Sequence, residues 1–299
     1  MTAPRQVLPG AVYLITRRCT QRQFLLRPSN FTNQVFAYCL AVAAEQTGVE
    51  VHGVAVLSNH WHGVVSDPLG TLPEFLALLH KLVAKAINTS LGRWENFWSS
   101  DKTSVVRLVD EHDVLDKMAY VQANPTSAGL VKSPNQWPGL ISRRVGETLE
   151  VDMPDVFFDD DGQLPHEATL QLVRPPIYLE CDTLALDALL ADEVSKRVRR
   201  ARDEMRRAGK SFLGPTMVLR QAFSARPKTP EPRRNLHPRI AGKATEQRVR
   251  ALKDLVRFLN RYREAWVRWR NGDRNVVFPF GTYALRVREG VRCESMAPG

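Results

Sequence analysis

His60-Trp61-His62 and the pair Tyr120 and Asn124 are the residues whose types and spacing could do chemistry. If residues 60–66, HWHGVVS, form a strand, the period of two places His60, His62 and Val64 on one face and Trp61, Gly63 and Val65 on the other. Two imidazoles on one strand face are close enough to bind one metal ion through neutral nitrogen, and the ion could act on a phosphate or a water. A third ligand must then come from elsewhere. An isolated H-x-H more often has a plainer role, with one ring hydrogen-bonded to a backbone carbonyl and the other at a wet sheet edge. In residues 117–125, KMAYVQANP, a helix puts Tyr120 and Asn124 on one face, separated by about 6 Å along the axis. A carboxamide oxygen can complete a metal site, and a phenol beside the ion can attack a phosphodiester phosphorus. Equally, Tyr120 can be a core residue and Asn124 a helix stop, because Pro125 is expected to end the helix at once.

These side chains can meet only if a sheet and a helix bring them together, and the N-terminal half supplies both. Residues 11–16, AVYLIT, read as a strand after Gly10, and residues 31–47 carry apolar side chains at helical intervals up to Gly48. Residues 49–57 read as a largely buried strand, followed by a tight turn at Ser58-Asn59 and the strand at 60–66. Residues 71–90 form an amphipathic helix that Thr71 and Glu74 can cap, with Asp67 in the preceding turn, either as an ordinary turn residue or as a partner to a metal-bound histidine. Residues 103–109 are a fourth strand, and Asp110 caps a helix over 111–124. The order is β-α-β-β-α-β plus one helix. It predicts an α+β, ferredoxin-like domain whose antiparallel sheet carries two helices on one face and leaves the other open to a ligand or an extra helix.

Together, Ser58-Asn59-His60-Trp61-His62 and Tyr120 to Asn124, followed by Pro125 and Ala128-Gly129-Leu130-Val131, resemble the HUH endonuclease superfamily. The similarity is strongest to the single-tyrosine transposases, in the branch associated with repetitive extragenic palindromes, and it covers about residues 8–140. The resemblance implies that His60, His62 and Asn124 hold a divalent ion, Mg²⁺ or Mn²⁺, and that Tyr120 is the nucleophile. It further implies cleavage of single-stranded or hairpin DNA through a 5′-phosphotyrosine with a free 3′-hydroxyl, which a second strand end can later reverse. Insertion-sequence members often carry glutamine where this chain has Asn124 and dimerise by exchanging the tyrosine helix. The palindrome-associated branch more often has asparagine and can be monomeric, so monomer and homodimer both stay open.

The wider composition suits such a role. Lys and Arg number 42 against 32 Asp and Glu, a formal +10, which favours a phosphate-bearing partner without proving one. The charge divides the chain into residues 1–145, an acidic connector at 146–173 without a single Lys or Arg, and a basic, mainly helical extension at 174–299. In the extension, residues 196–210 and 248–270 are basic helices. The second carries an apolar stripe of Val249, Leu252, Leu255, Val256, Leu259 and Trp266, and its Trp266 and Trp269 serve either as base-stacking platforms or as local core. Residues 227–238 read as a proline-rich joint. Arg17, Arg18, Arg22, Lys81 and Lys85 are candidate phosphate contacts. Truncation after about residue 173 is expected to weaken DNA binding more than it disturbs the active centre, unless the extension buries part of the N-terminal domain. Cys19, Cys39, Cys181 and Cys293 lack metal-ribbon spacing, and no run of eighteen apolar residues occurs, so a reducing, cytoplasmic home without membrane contact is expected. Zinc competes for two imidazoles, although a zinc hydrolase would want a nearby carboxylate base. Two other functions fit the same residues: a domesticated, non-catalytic DNA-binding protein, and an RNA-processing nuclease without a covalent intermediate.

Overall fold

The computed structural model describes residues 4–157, 162, 164–228 and 238–295. Its N-terminal half contains β1 (Ala11–Arg18), α1 (Asn30–Thr47), β2 (Glu50–Leu57), β3 (His60–Asp67), α2 (Leu72–Ser90), β4 (Ser104–Leu108) and α3 (Glu111–Ser127). The four strands are antiparallel in the order β2-β3-β1-β4, which is the ferredoxin-like arrangement that the element order predicts. A short β7 (Ile240–Ala241) from the extension adds to β4 in parallel.

The strand alternation separates two cores. Tyr13, Ile15, Val54, Val56, Trp61 and Val65 point towards α1 and α2, whereas Val12, Ala55, Leu57, Val64 and Leu108 pack beneath α3. Trp61 is the anchor of β3. Its fully buried indole meets the edge of Phe36 at 5.6 Å between centroids and donates from Nε1 to His80 Nε2 at 3.3 Å. Gly63 makes room for it, since a Cβ there would stand 2.6 Å from the ring. With Trp61 held in one core, the flanking His60 and His62 must face the other.

Two caps differ from the sequence expectation. Thr71 does not cap α2 through its own side chain; Asp67, fully buried, accepts from Thr71 N at 2.8 Å and from Leu72 N at 3.1 Å. A carboxylate at a helix N-terminus satisfies otherwise orphaned amides and complements the helix dipole. Asp67 is thus a structural cap at the far end of β3, not a partner to the histidines. Pro125 does not end α3 either, because its ring removes only the bond to the carbonyl of residue 121. The following amides still find partners, Ala128 N on Asn124 O at 2.8 Å and Leu130 N on Pro125 O at 3.0 Å, and the chain leaves the helix at Gly129 (φ 72°).

The acidic span is more than a connector. β5 (Thr148–Asp152) and β6 (Glu167–Gln171) pair into a hairpin whose Val151, Ala168 and Leu170 join the main core while Glu150, Asp152 and Glu167 stay in solvent. Tyr38 of α1 packs on Phe157 and donates its hydroxyl to Pro165 O. The hairpin therefore explains why α1 is apolar all round: it is covered on the side away from the sheet.

The extension is mainly helical, with α4 (Thr183–Arg207), α5 (Pro215–Leu219), α6 (Thr245–Arg270) and α7 (Ala284–Glu289). Most of the proline-rich joint, residues 229–237, lies outside the described residues. On α6 Phe258, Tyr262 and Ala265 are buried against Val276 and Phe278, with Leu255, Leu259 and Trp266 of the expected stripe packed beside them, whereas its Val249, Leu252 and Val256 are exposed. Trp266 and Trp269 pack against that local core under the guanidinium groups of Arg270 and Arg274. Among the described residues no helix is long and apolar enough to cross a membrane.

The extension also buries the N-terminal half. Leu186 and Leu190 of α4 and Val218 of α5 are buried in the core beneath α3, so α3 lies between the sheet and α4. Exposing three such side chains costs roughly 6 kcal/mol, comparable with the whole stability of a typical domain. A chain ending at residue 173 is accordingly expected to lose cooperative thermal unfolding, followed by circular dichroism. A sharp transition at the full-length temperature would contradict the packing.

Candidate active site

The face of the sheet beneath α3 gathers His60, His62, Thr16 and Arg18, because Thr16 lies opposite His62 and Arg18 opposite His60 in the β1–β3 register. The imidazole centroids of His60 and His62 are 4.8 Å apart, nearly perpendicular. Tyr120 comes from α3 and brings its ring to 5.2 Å from that of His62, with its hydroxyl 3.4 Å from His62 Nε2. One helical turn later, Asn124 is buried and hydrogen-bonds the Tyr120 phenol. All four residues picked out in the sequence thus form one continuous cluster within a single chain.

The surrounding hydrogen bonds place a proton on one of the two imidazoles. Asn59 donates from Nδ2 to Arg22 O at 3.2 Å, so its Oδ1 faces His60 Nδ1 at 2.7 Å and can only accept. His60 therefore carries a proton on Nδ1, which in the neutral ring leaves the lone pair on Nε2. Thr16 Oγ1 stands 2.8 Å from His62 Nδ1 and, as a hydroxyl, can either donate or accept there; in the tautomer where it accepts, the His62 lone pair lies on Nε2, towards Tyr120. Burial, followed by the nearby His60 and Arg18, pushes the His62 pKa well below its ordinary value, so the ring is neutral at neutral pH. Imidazole nitrogens and a carboxamide oxygen are donor types a divalent ion accepts, and Asn59 and Thr16 hold the two rings by their Nδ1 atoms. Among the described residues no group of three or more His, Cys, Asp or Glu side chains could hold a metal, so a third ligand beside the two histidines would have to be of another type, such as the Asn124 carboxamide.

Tyr120 is only partly exposed. Burial raises the pKa of its phenol, while the Asn124 hydrogen bond and the charges of Arg18 and Arg197 pull in the opposite direction without cancelling the rise. The proton therefore does not leave unaided near neutral pH.

Of the candidate phosphate contacts, Arg18 alone shares the imidazole face. Arg17 lies on the opposite face, beside Trp61, and donates to Asp101 O; Lys81 and Lys85 are exposed on α2, in the layer beyond that face. Arg22 sits in the loop whose carbonyl holds Asn59. Sequence reasoning missed Thr16 and Asn59 as partners of the histidines. Asn59 adjoins His60, but Thr16 is found only through the β1–β3 register.

No family model matches the chain, and no curated protein matches it. Among the solved structures similar to parts of it are two transposase structures. One is a REP-associated tyrosine transposase bound to a REP hairpin, 18% identical, covering 46% of this chain and 81% of that one with a TM-score of 0.39. The other is a crystal structure from Deinococcus radiodurans R1 described as that of a transposase, 19% identical, covering 40% of this chain and 95% of that one with a TM-score of 0.29.

Proposed function

We propose that the chain cleaves and rejoins single-stranded or hairpin DNA through a covalent bond between phosphorus and the Tyr120 oxygen. His60, His62 and Asn124 hold Mg²⁺ or Mn²⁺, as in the HUH single-tyrosine enzymes that the two motifs resemble. The carrying observation is the Tyr120 hydroxyl at 3.4 Å from His62 Nε2, on the sheet face that strand alternation gives to both imidazoles. When bound, the ion polarises a non-bridging phosphate oxygen and offsets charge that develops in the transition state.

The protein's own groups do the rest. Asn59 and Thr16 hold the two imidazoles by their Nδ1 atoms, which turns both Nε2 atoms towards the ion. Asn124 holds the phenol oxygen, and Arg18 and Arg197 favour its negative form. The phenol gives up its proton and its oxygen bonds to phosphorus, while the P–O3′ bond breaks and releases a 3′-hydroxyl. The reverse attack by a 3′-hydroxyl regenerates tyrosine and joins a strand, so no outside energy source is needed. Since Tyr120 meets His62 within one chain, a monomer can carry the reaction.

The test is to incubate the full chain with a labelled single-stranded DNA hairpin and Mn²⁺, and to look for an SDS-resistant adduct whose phosphopeptide contains Tyr120. DNA binding without an adduct across varied hairpins, or cleavage of RNA with no covalent product, would overturn the proposal.

A further inference from the structure

Asp116 precedes Tyr120 by four residues, so it lies on the same face of α3, about 6 Å back along the axis. Three cations among the described residues meet at its carboxylate. Lys117 Nζ is 2.8 Å away, Lys243 Nζ is 3.7 Å away, and the Arg197 guanidinium is paired directly with it. They come from three segments: α3, α4, and the link between β7 and α6. Burial alone would raise the Asp116 pKa; Lys117, Arg197 and Lys243 more than offset that and hold it below the usual carboxylate range.

Asp116, with Asp113 beside Lys117 and the Lys243 backbone, offers two carboxylates to three cations, so the cluster keeps a surplus of about one charge. The arrangement is also built rather than incidental. Asp113 accepts from Lys243 N at 3.1 Å and Asp110 from Ala244 N at 3.0 Å, which fixes the start of α6 against the start of α3. Arg197 Nε is buried and has no hydrogen-bond partner among the described residues. The Lys243 side chain is 65% exposed, so the cluster opens to solvent. Unspent donors and surplus charge one turn from a nucleophile suit a phosphate.

We propose that Lys117, Arg197 and Lys243 form a phosphate-binding site that grips a backbone phosphodiester of the DNA strand next to the one Tyr120 attacks. This rests on the function proposed above. It gives the basic extension a defined part in the active centre, since α4 and the link before α6 supply two of the three cations.

The test uses Arg197→Gln and Lys243→Gln in the full chain with a fluorescent single-stranded DNA hairpin bearing a 5′ extension. Affinity is measured by anisotropy from 50 to 200 mM salt, together with the rate and KM of adduct formation. For each variant the slope of log K against log salt is expected to fall by about 0.7, the increment that one neutralised phosphate contributes on a single strand. KM is expected to rise in both variants; kcat falls as well in Arg197→Gln, which also removes a charge that favours the Tyr120 phenolate, and changes less in Lys243→Gln. Replacing backbone phosphates near the cleavage site one at a time by neutral methylphosphonate is expected to identify one position whose replacement weakens the parent but not the variants. Should Arg197→Gln fail to fold, Lys243→Gln alone carries the comparison. Unchanged salt slopes with an unchanged methylphosphonate profile overturn the site, as does a parent that binds no DNA. If the parent forms the Tyr120 adduct and the variants match it throughout, only this inference falls. If the variants show the reduced salt slope but the parent forms no adduct, the phosphate site stands and the chemistry does not.

Discussion

Tyr120→Phe is expected to lower adduct formation by about a thousand-fold or more while leaving the fold and DNA binding nearly as they are. Removing the attacking atom removes the covalent route itself, whereas loss of a helper group leaves part of it in place. The structural cost is small, because the hydroxyl makes a long 3.4 Å contact with His62 Nε2 and the ring remains to pack against the core beneath α3. Loss of such a hydrogen bond costs about 1 kcal/mol, against more than about 4 kcal/mol of lost transition-state stabilisation. Melting temperature and hairpin affinity, measured beside the adduct, separate the two effects. A phenylalanine variant that still forms the adduct at the parent's rate assigns the chemistry to another residue.

Acidification from pH 7 to pH 4 should remove on the order of 6 kcal/mol of stability through two buried histidines alone. Burial, only partly countered by the Val173 carbonyl and Glu50, lowers His52 to about 4. Burial together with Arg17 and Arg5 lowers His80 to about 3. Both rings are neutral in the folded protein at pH 7. Below the unfolded value of about 6.5 the unfolded chain binds protons that the folded chain refuses, so stability falls as pH drops through 6.5 and keeps falling towards each folded pKa. Denaturant unfolding at pH 7, 6, 5 and 4 should show this loss in the parent and much less of it in His52→Gln/His80→Gln. The Asp110–Asp113 pair, whose protonation also changes in this range, is common to both proteins and cancels from the difference. Equal pH slopes in the two proteins would contradict the assignment.

Much of this architecture was legible in the sequence, for physical reasons that differ from element to element. The strand carrying His60 and His62 was readable because Trp61, Gly63 and Val65 alternate with them, and only one register buries an indole. The pairing of Tyr120 with Asn124 followed from helical spacing. Local patterns failed where distant residues decided the outcome. Thr71 has the sequence look of a cap, yet Asp67 reaches the same amides from the end of β3. Pro125 normally marks a helix end, but here only one backbone bond is lost and the next turn closes beyond it. The acidic stretch read as a connector because its charged side chains dominate the composition; the alternate residues Val151, Ala168 and Leu170 find a core only once α1 offers its outer surface. Arg197 and Lys243 could not be linked to Tyr120 from sequence, since they stand more than seventy residues downstream of it.

The position of α4 across α3 has a kinetic corollary. A helix pinned on both sides cannot pass to a second molecule without first exposing Leu186 and Leu190, so on the function proposed above each chain is expected to use its own Tyr120 with its own imidazoles. Turnover per molecule should then stay constant on serial dilution, and mixing a nucleophile-dead chain with a histidine-dead chain should restore nothing.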